Sequence, residues 1–253
     1  ELTVMLLVDM SASLDFGSTE ADKRNLVARL AATFAFSAIR NNDRVGLIGF
    51  TDAVEVFVPP RSGRKHVLAV VQNILTHRTR SRETNLSVPL ETMAQMGRRH
   101  AVVILISDFI DAGLAGDRGR PPYGRALGEG AAANAAEPGV GRAEGRFERA
   151  LKLVRRRNDV IPVRVEDPIE LALPNLGLIA VEDLELLERG GIRLIDLGGR
   201  RAKRYREQVA REREAFDRLM NRLRLETMTI RCGENWEKPL VGFFERRARR
   251  MRR

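Results

Sequence analysis

One cysteine in 253 residues, Cys232, removes two architectures at once. No intrachain disulfide can form, and no cysteine-based metal site is available. Histidine is nearly as scarce. His66, His77 and His100 are scattered, with no pair at metal-ligand spacing and no base set beside a nucleophile. Aromatic residues make up only 5% of the chain, so stacked-base recognition has little to work with. No run approaches the roughly 20 apolar residues of a membrane span, and no secretory leader is visible. A Gly-x-x-x-x-Gly-Lys-Ser/Thr loop is missing, which argues against a P-loop ATPase. Ser107 has no Gly-x-Ser-x-Gly turn around it, which argues against a hydrolase elbow. The first residue is Glu1, and the chain enters a core strand immediately, so it reads as a fragment or an incomplete open reading frame.

What remains is the composition of an ordinary globule, 43% hydrophobic and 31% charged, long enough for one large domain or two small ones. The net charge of +10 is unevenly placed. Residues 200–253 carry 18 Lys+Arg against 8 Asp+Glu, which accounts for all of it; the preceding 199 residues are neutral. The chain ends in Arg246-Arg247-Ala248-Arg249-Arg250-Met251-Arg252-Arg253. Such a tail reads first as a solvated helix end. Its alternative is a surface for nucleic-acid phosphates or an anionic membrane.

Apolar runs alternate with helical periods, which predicts an α/β fold with a mostly parallel sheet. Leu2 to Val8, Val45 to Phe50, Val54 to Val58, Ala101 to Ile106 and Val160 to Val165 read as strands. Pro59-Pro60 is expected to end the third of these. Glu20 to Arg40, His66 to Leu75, Leu86 to Met96 and Phe147 to Arg157 read as helices. Residues 112–146 hold nine glycines and three prolines and read as a flexible insertion. Leu178 to Val181, Leu184 to Leu187 and Ile192 to Leu197 suggest a meander or hairpin. Beyond them come a long charged helix, Ala202 to Leu225, a short strand over Thr227 to Cys232, and a last helix from Pro239. The expected division is a domain over 1–199 and a basic C-terminal α/β extension over 200–253.

The most telling feature is Asp9-Met10-Ser11-Ala12-Ser13, placed where the first strand ends. It puts a carboxylate and two hydroxyls on one loop at the carboxyl edge of a sheet, where α/β proteins bind ligands. Oxygen-only donors suit a hard cation, Mg2+ or Mn2+. Thr84 precedes a helix and Asp108 follows the strand over 101–106, so further oxygen donors are at hand. Taken singly, each of these residues has a commoner use as a cap or turn residue. Asp15 and Asp111 lie near the site in sequence and read as solvated loop residues.

In this order, Asp9, Ser11, Ser13, Thr84 and Asp108 resemble the metal-ion-dependent adhesion site of a von Willebrand factor A-type domain. A narrower resemblance rests on four further segments: Asp43-Arg44-Val45-Gly46-Leu47-Ile48-Gly49-Phe50, Pro59-Pro60-Arg61-Ser62-Gly63-Arg64, Ile106-Ser107-Asp108-Phe109-Ile110-Asp111 and Val165-Glu166-Asp167-Pro168-Ile169-Glu170-Leu171-Ala172-Leu173-Pro174. Together these look like the bacterial domain-of-unknown-function 58 family. The resemblance covers most of residues 2–198, weakens over 112–147 and is diffuse after 200.

The resemblance implies that Ser11, Ser13 and Thr84 touch the metal while Asp9 and Asp108 hold its waters. The open coordination position would accept a partner's Asp or Glu. It also implies a non-enzymatic interaction module that works with a MoxR-type AAA+ ATPase in chaperone-like assembly. The implied setting is the cytoplasm, with membrane helices upstream in a longer protein. Two other functions remain open. One is a nucleic-acid or anionic-membrane binder that uses the arginine tail and carries a vestigial metal site. The other is a metallohydrolase using Asp9 and Asp108, disfavoured because no general base or additional metal-binding carboxylate accompanies them.

Overall fold

The computed structural model describes residues 1–11, 23–79, 81, 83–97, 100–110, 145–168, 178–182, 192–196 and 199–251. Its strands are β1 (Thr3–Asp9), β2 (Arg44–Phe50), β3 (Val54–Arg61), β4 (Ala101–Ser107), β5 (Asp159–Glu166), β6 (Leu178–Glu182), β7 (Ile192–Asp196) and β8 (Met228–Arg231). Its helices are α1 (Lys23–Arg40), α2 (Arg64–Thr76), α3 (Ser87–Gln95), α4 (Arg146–Arg155), α5 (Gly199–Arg222) and α6 (Glu237–Met251). Six strands form one sheet in the order β3-β2-β1-β4-β5-β8, while β6 and β7 make a separate antiparallel hairpin. Within the large sheet only β3 runs antiparallel to its neighbour. The expected mostly parallel α/β architecture is therefore the observed one. The expected strand over 184–187 and the insertion over 112–144 lie outside the described residues.

The central strands are apolar over most of their length because both faces are covered. On β1, Val4, Leu6 and Val8 face α1, α2 and α6, meeting Leu30, Val67, Val70 and Phe243. Met5 and Leu7 face the other way, into a layer built by α3, α4 and α5 with Leu90, Met93, Leu151, Phe216 and Leu219. Helix α1 carries the expected Leu26, Leu30 and Phe34 stripe, widened by Val27, Ala31, Ala35 and Ala38, all buried.

Pro59-Pro60 does not end β3. The strand continues through both prolines to Arg61. This is an edge strand, where a missing N–H can face away from the ladder. The pairing steps from Leu47↔Val58 to Val45↔Arg61, so two prolines oppose Gly46 in a bulge. Gly46 has a steric reason to be glycine: a Cβ there would lie 2.6 Å from Met5 Sδ and 3.0 Å from the backbone nitrogen of Pro60.

The C-terminal segment is woven into the sheet. β8 pairs in parallel with β5, and the N–H of Cys232 extends the ladder to the carbonyl of Glu166 at 2.8 Å. A buried ionic knot locks this corner. Glu166 accepts from Arg213 Nη2 at 2.6 Å and from Arg231 Nε at 3.3 Å, with Arg164 Nε 3.0 Å away. Arg164 also bonds Asp217 at 2.9 Å and lies over the Phe216 ring. Glu166 is thus the shared anion of three arginines from β5, α5 and β8. Glu166→Ala is expected to destabilise the fold by about 2 kcal/mol, since removing one member of a buried ion cluster strands the others. Arg213 and Arg231, partly exposed, can recover some hydration, which keeps the loss below that of a fully enclosed pair. A shift in urea midpoint at constant m-value would report it.

Candidate metal centre

Strands β2, β1 and β4 end at one edge, and their register decides what meets there. Asp9 lies opposite Phe50 on β2, and Val8 lies opposite Ile106 on β4. Ser107 therefore stands beside Asp9, with Asp108 one residue further on. Ser107 Oγ donates to Asp9 Oδ2 at 2.6 Å, and the Ser11 N–H donates to Asp9 Oδ1 at 2.9 Å. The Ser11 side chain also bonds the carboxylate. On Asp108, Oδ1 accepts the N–H of Ile110 at 3.1 Å and Oδ2 accepts Lys23 Nζ at 3.0 Å. Asp9, Ser11, Ser107 and Asp108 are all 4% exposed or less, and Lys23 is fully enclosed.

The loop leaving β4 is bent to make this possible. Phe109 has φ 55°, in the left-handed region that bulky residues rarely occupy. Its N–H donates to Ser107 Oγ at 3.0 Å, and its ring packs 4.3 Å from that of Phe216. Backbone strain of this kind persists only where packing and hydrogen bonds over-determine it. Here it lies one residue after Asp108, whose Oδ1 takes the N–H of Ile110 just beyond the bend.

Burial pushes the Asp9 carboxyl from 3.8 up to about 6, and the Asp108 charge pushes the same way. The bonds from Ser107 and Ser11 oppose that rise without cancelling it. The fold thus holds the Asp9 carboxylate at a cost.

Of the five residues expected at the site, the structure brings Asp9, Ser11 and Asp108 to one strand edge. Thr84 is half-buried in the loop before α3, and the neighbouring Asn85 N–H bonds the carbonyl of Thr51, just past the end of β2, at 3.0 Å. Ser13, Asp15 and Asp111 lie outside the described residues. Two participants escaped sequence reasoning. Ser107 ends an apolar strand with a hydroxyl, but only the register shows that it faces Asp9. Lys23 left a clue. It stands three residues before Leu26 on the buried stripe of α1, where a lysine needs an anion to meet it.

The donor chemistry fits a small divalent cation. Among the described residues two enclosed carboxylates, Asp9 and Asp108, stand at this edge with one enclosed ammonium, and the side chains beside them add hydroxyl oxygens. A carboxylate oxygen that accepts one hydrogen bond still has a lone pair to offer. Among the described residues no group of three or more His, Cys, Asp and Glu side chains gathers, so an ion here would rely on hydroxyls and water beside the two aspartates.

An open, mostly parallel sheet covered on both faces, with an antiparallel strand at one edge and an Asp-x-Ser turn at its carboxyl end, defines a von Willebrand factor A-like domain. The chain belongs to the family described as "Protein of unknown function DUF58", whose pattern matches residues 1–132 and 140–215. It is similar to the uncharacterised protein Rv1480 of Mycobacterium tuberculosis, at 25% identity over 251 residues, which are 98% of this chain and 68% of that protein. Among solved structures it resembles BatB from Bacteroides thetaiotaomicron, with a TM-score of 0.51, 12% identity and 95% of each chain covered. An aerotolerance-related membrane protein from Bacteroides fragilis gives a TM-score of 0.50 at 13% identity, covering 95% of this chain and 96% of that one. At such identities the likeness is one of fold.

Proposed function

We propose that this domain grips a carboxylate of a protein partner through a divalent cation, Mg2+ or Mn2+, held at the edge formed by β1 and β4. Domains of this class commonly mediate protein interactions. The observation that carries the reading is the pair of enclosed aspartates, Asp9 and Asp108, at adjacent strand ends, with the Ser107 hydroxyl and Ser11 bonded to Asp9. Ser11, Ser13 and Thr84 would supply neutral oxygens, and Asp9 and Asp108 the negative charge. An ion held largely by neutral oxygens keeps much of its own charge, which suits it to attract an external Asp or Glu. The chain's own groups do the positioning: Ser107 and the Ser11 N–H fix the Asp9 rotamer, and the Phe109 turn fixes Asp108.

The reading is non-enzymatic. His66 is held on the carbonyl of Val45 and His77 on Glu55, so neither serves the two aspartates as a general base. The partner we propose is a MoxR-type AAA+ ATPase or its client, with ATP chemistry belonging to the partner. The setting we propose is the cytoplasm, with the domain carried on a membrane anchor in a longer protein. Among the described residues no helix is long and apolar enough to cross a membrane.

Calorimetric titration of Mg2+ and Mn2+ into the wild type and Asp9→Ala tests the site. Saturation near one equivalent in the wild type, lost in a folded Asp9→Ala, is the expected result. Binding of a MoxR-type ATPase should then vanish in EDTA and in the same variant. Equal metal binding by both proteins would sink the assignment.

A further inference from the structure

Lys23, in α1, is placed against ordinary preference. Lysine is almost never fully buried unless paired, yet Lys23 has no exposed surface. That penalty is accepted at a position where Nζ lies 3.0 Å from Asp108 Oδ2. Among the described residues the donors to Asp9, by contrast, are neutral, the Ser107 hydroxyl and Ser11. One amine therefore neutralises one of two enclosed carboxylates, and it does so at a carboxylate assigned to the cation in the functional reading above.

We propose that Lys23 is a tethered cation that occupies the charge position of the divalent ion in the metal-free protein, and that ion and ammonium compete for Asp108. The lysine keeps the site folded when empty and lowers its affinity for metal. Filling the site repels the ammonium, because two cations sharing one carboxylate in a low-dielectric pocket disfavour each other. This inference rests on the metal-dependent reading of the site and adds its regulation.

The test compares Mn2+ affinity in wild type, Lys23→Met and Lys23→Arg, with thermal unfolding of each in EDTA and in Mn2+. Methionine keeps the length of the side chain and removes its charge; arginine keeps the charge. Lys23→Met is expected to bind Mn2+ roughly tenfold or more tightly than wild type. It should also melt lower in EDTA and regain the loss when Mn2+ is added. Lys23→Arg should remain a weak binder. A folded Lys23→Met with unchanged or weaker affinity overturns the proposal while leaving the metal site standing. Loss of all Mn2+ binding in wild type and Lys23→Met alike overturns both. Should Lys23→Met fail to fold in either buffer, 13C-lysine-labelled wild type decides: the chain has five lysines, and only the Lys23 signal should move as Mg2+ saturates. A Lys23 signal that stays fixed at saturation refutes the competition.

Discussion

Asp108→Asn is expected to destabilise the metal-free protein by about 3 kcal/mol, the scale of breaking a buried ion pair from one side. The amide keeps the shape of the carboxylate but only one of its two acceptors, so the bond from Lys23 Nζ or the bond from the Ile110 N–H is lost along with the charge. The ammonium has no exposed surface through which to recover hydration. Urea unfolding in EDTA measures the effect. A change below about 0.5 kcal/mol, the range of ordinary surface substitutions, would mean that Lys23 has another anion to rest on.

Asp9→Asn is expected to do the reverse. Asp9 is ionised at neutral pH in a place that resists its charge, as its rise to about 6 records. Removing the charge should raise metal-free stability by about 2 kcal/mol at pH 7.5, given roughly 1.4 kcal/mol per unit of pKa shift and some loss in hydrogen-bond quality. The amide oxygen can accept the Ser11 N–H, and the amide nitrogen can donate to Ser107 Oγ. The pH dependence has a definite sign. Between 3.8 and about 6 the folded protein holds a proton on Asp9 that the unfolded chain has released. Stability of the wild type contributed by this group therefore falls as pH rises through that window. The advantage of Asp9→Asn is complete above pH 6 and shrinks toward zero near pH 4. Magnesium should reverse the ranking, because the wild type gains binding energy that the variant has lost. An Asp9→Asn protein less stable than wild type in EDTA at pH 7.5 would show that the carboxylate is structurally, rather than functionally, required. Two aspartates a strand apart thus answer the same substitution with opposite signs, and the difference is Lys23.

Much of this molecule was readable from its residues. β1, β2, β4 and β5 are nearly unbroken apolar runs because helices cover both faces of the sheet, and that burial leaves its mark on every position. The α1 stripe of Leu26, Leu30 and Phe34 is equally direct. The Asp9–Ser11 turn was legible because a carboxylate and hydroxyls abruptly follow an apolar strand. The continuation of β3 through Pro59-Pro60 was not, since a local rule about prolines carries no information on whether a strand lies at an edge. β8 is a strand of four residues whose place beside β5 depends on the whole chain between.

The sequence by itself determined the alternation of strands and helices, the two-faced core and the position of Asp9 at the end of a strand. Hydrophobic period and turn chemistry are local properties, written within a few residues of where they act. Only the tertiary structure decided that Asp9 meets Ser107, 98 residues away, and that Lys23 reaches Asp108 across 85. Periodicity reports that a face is buried; which face it is buried against is set by strand order. In this protein strand order also decides which of two carboxylates receives the lysine.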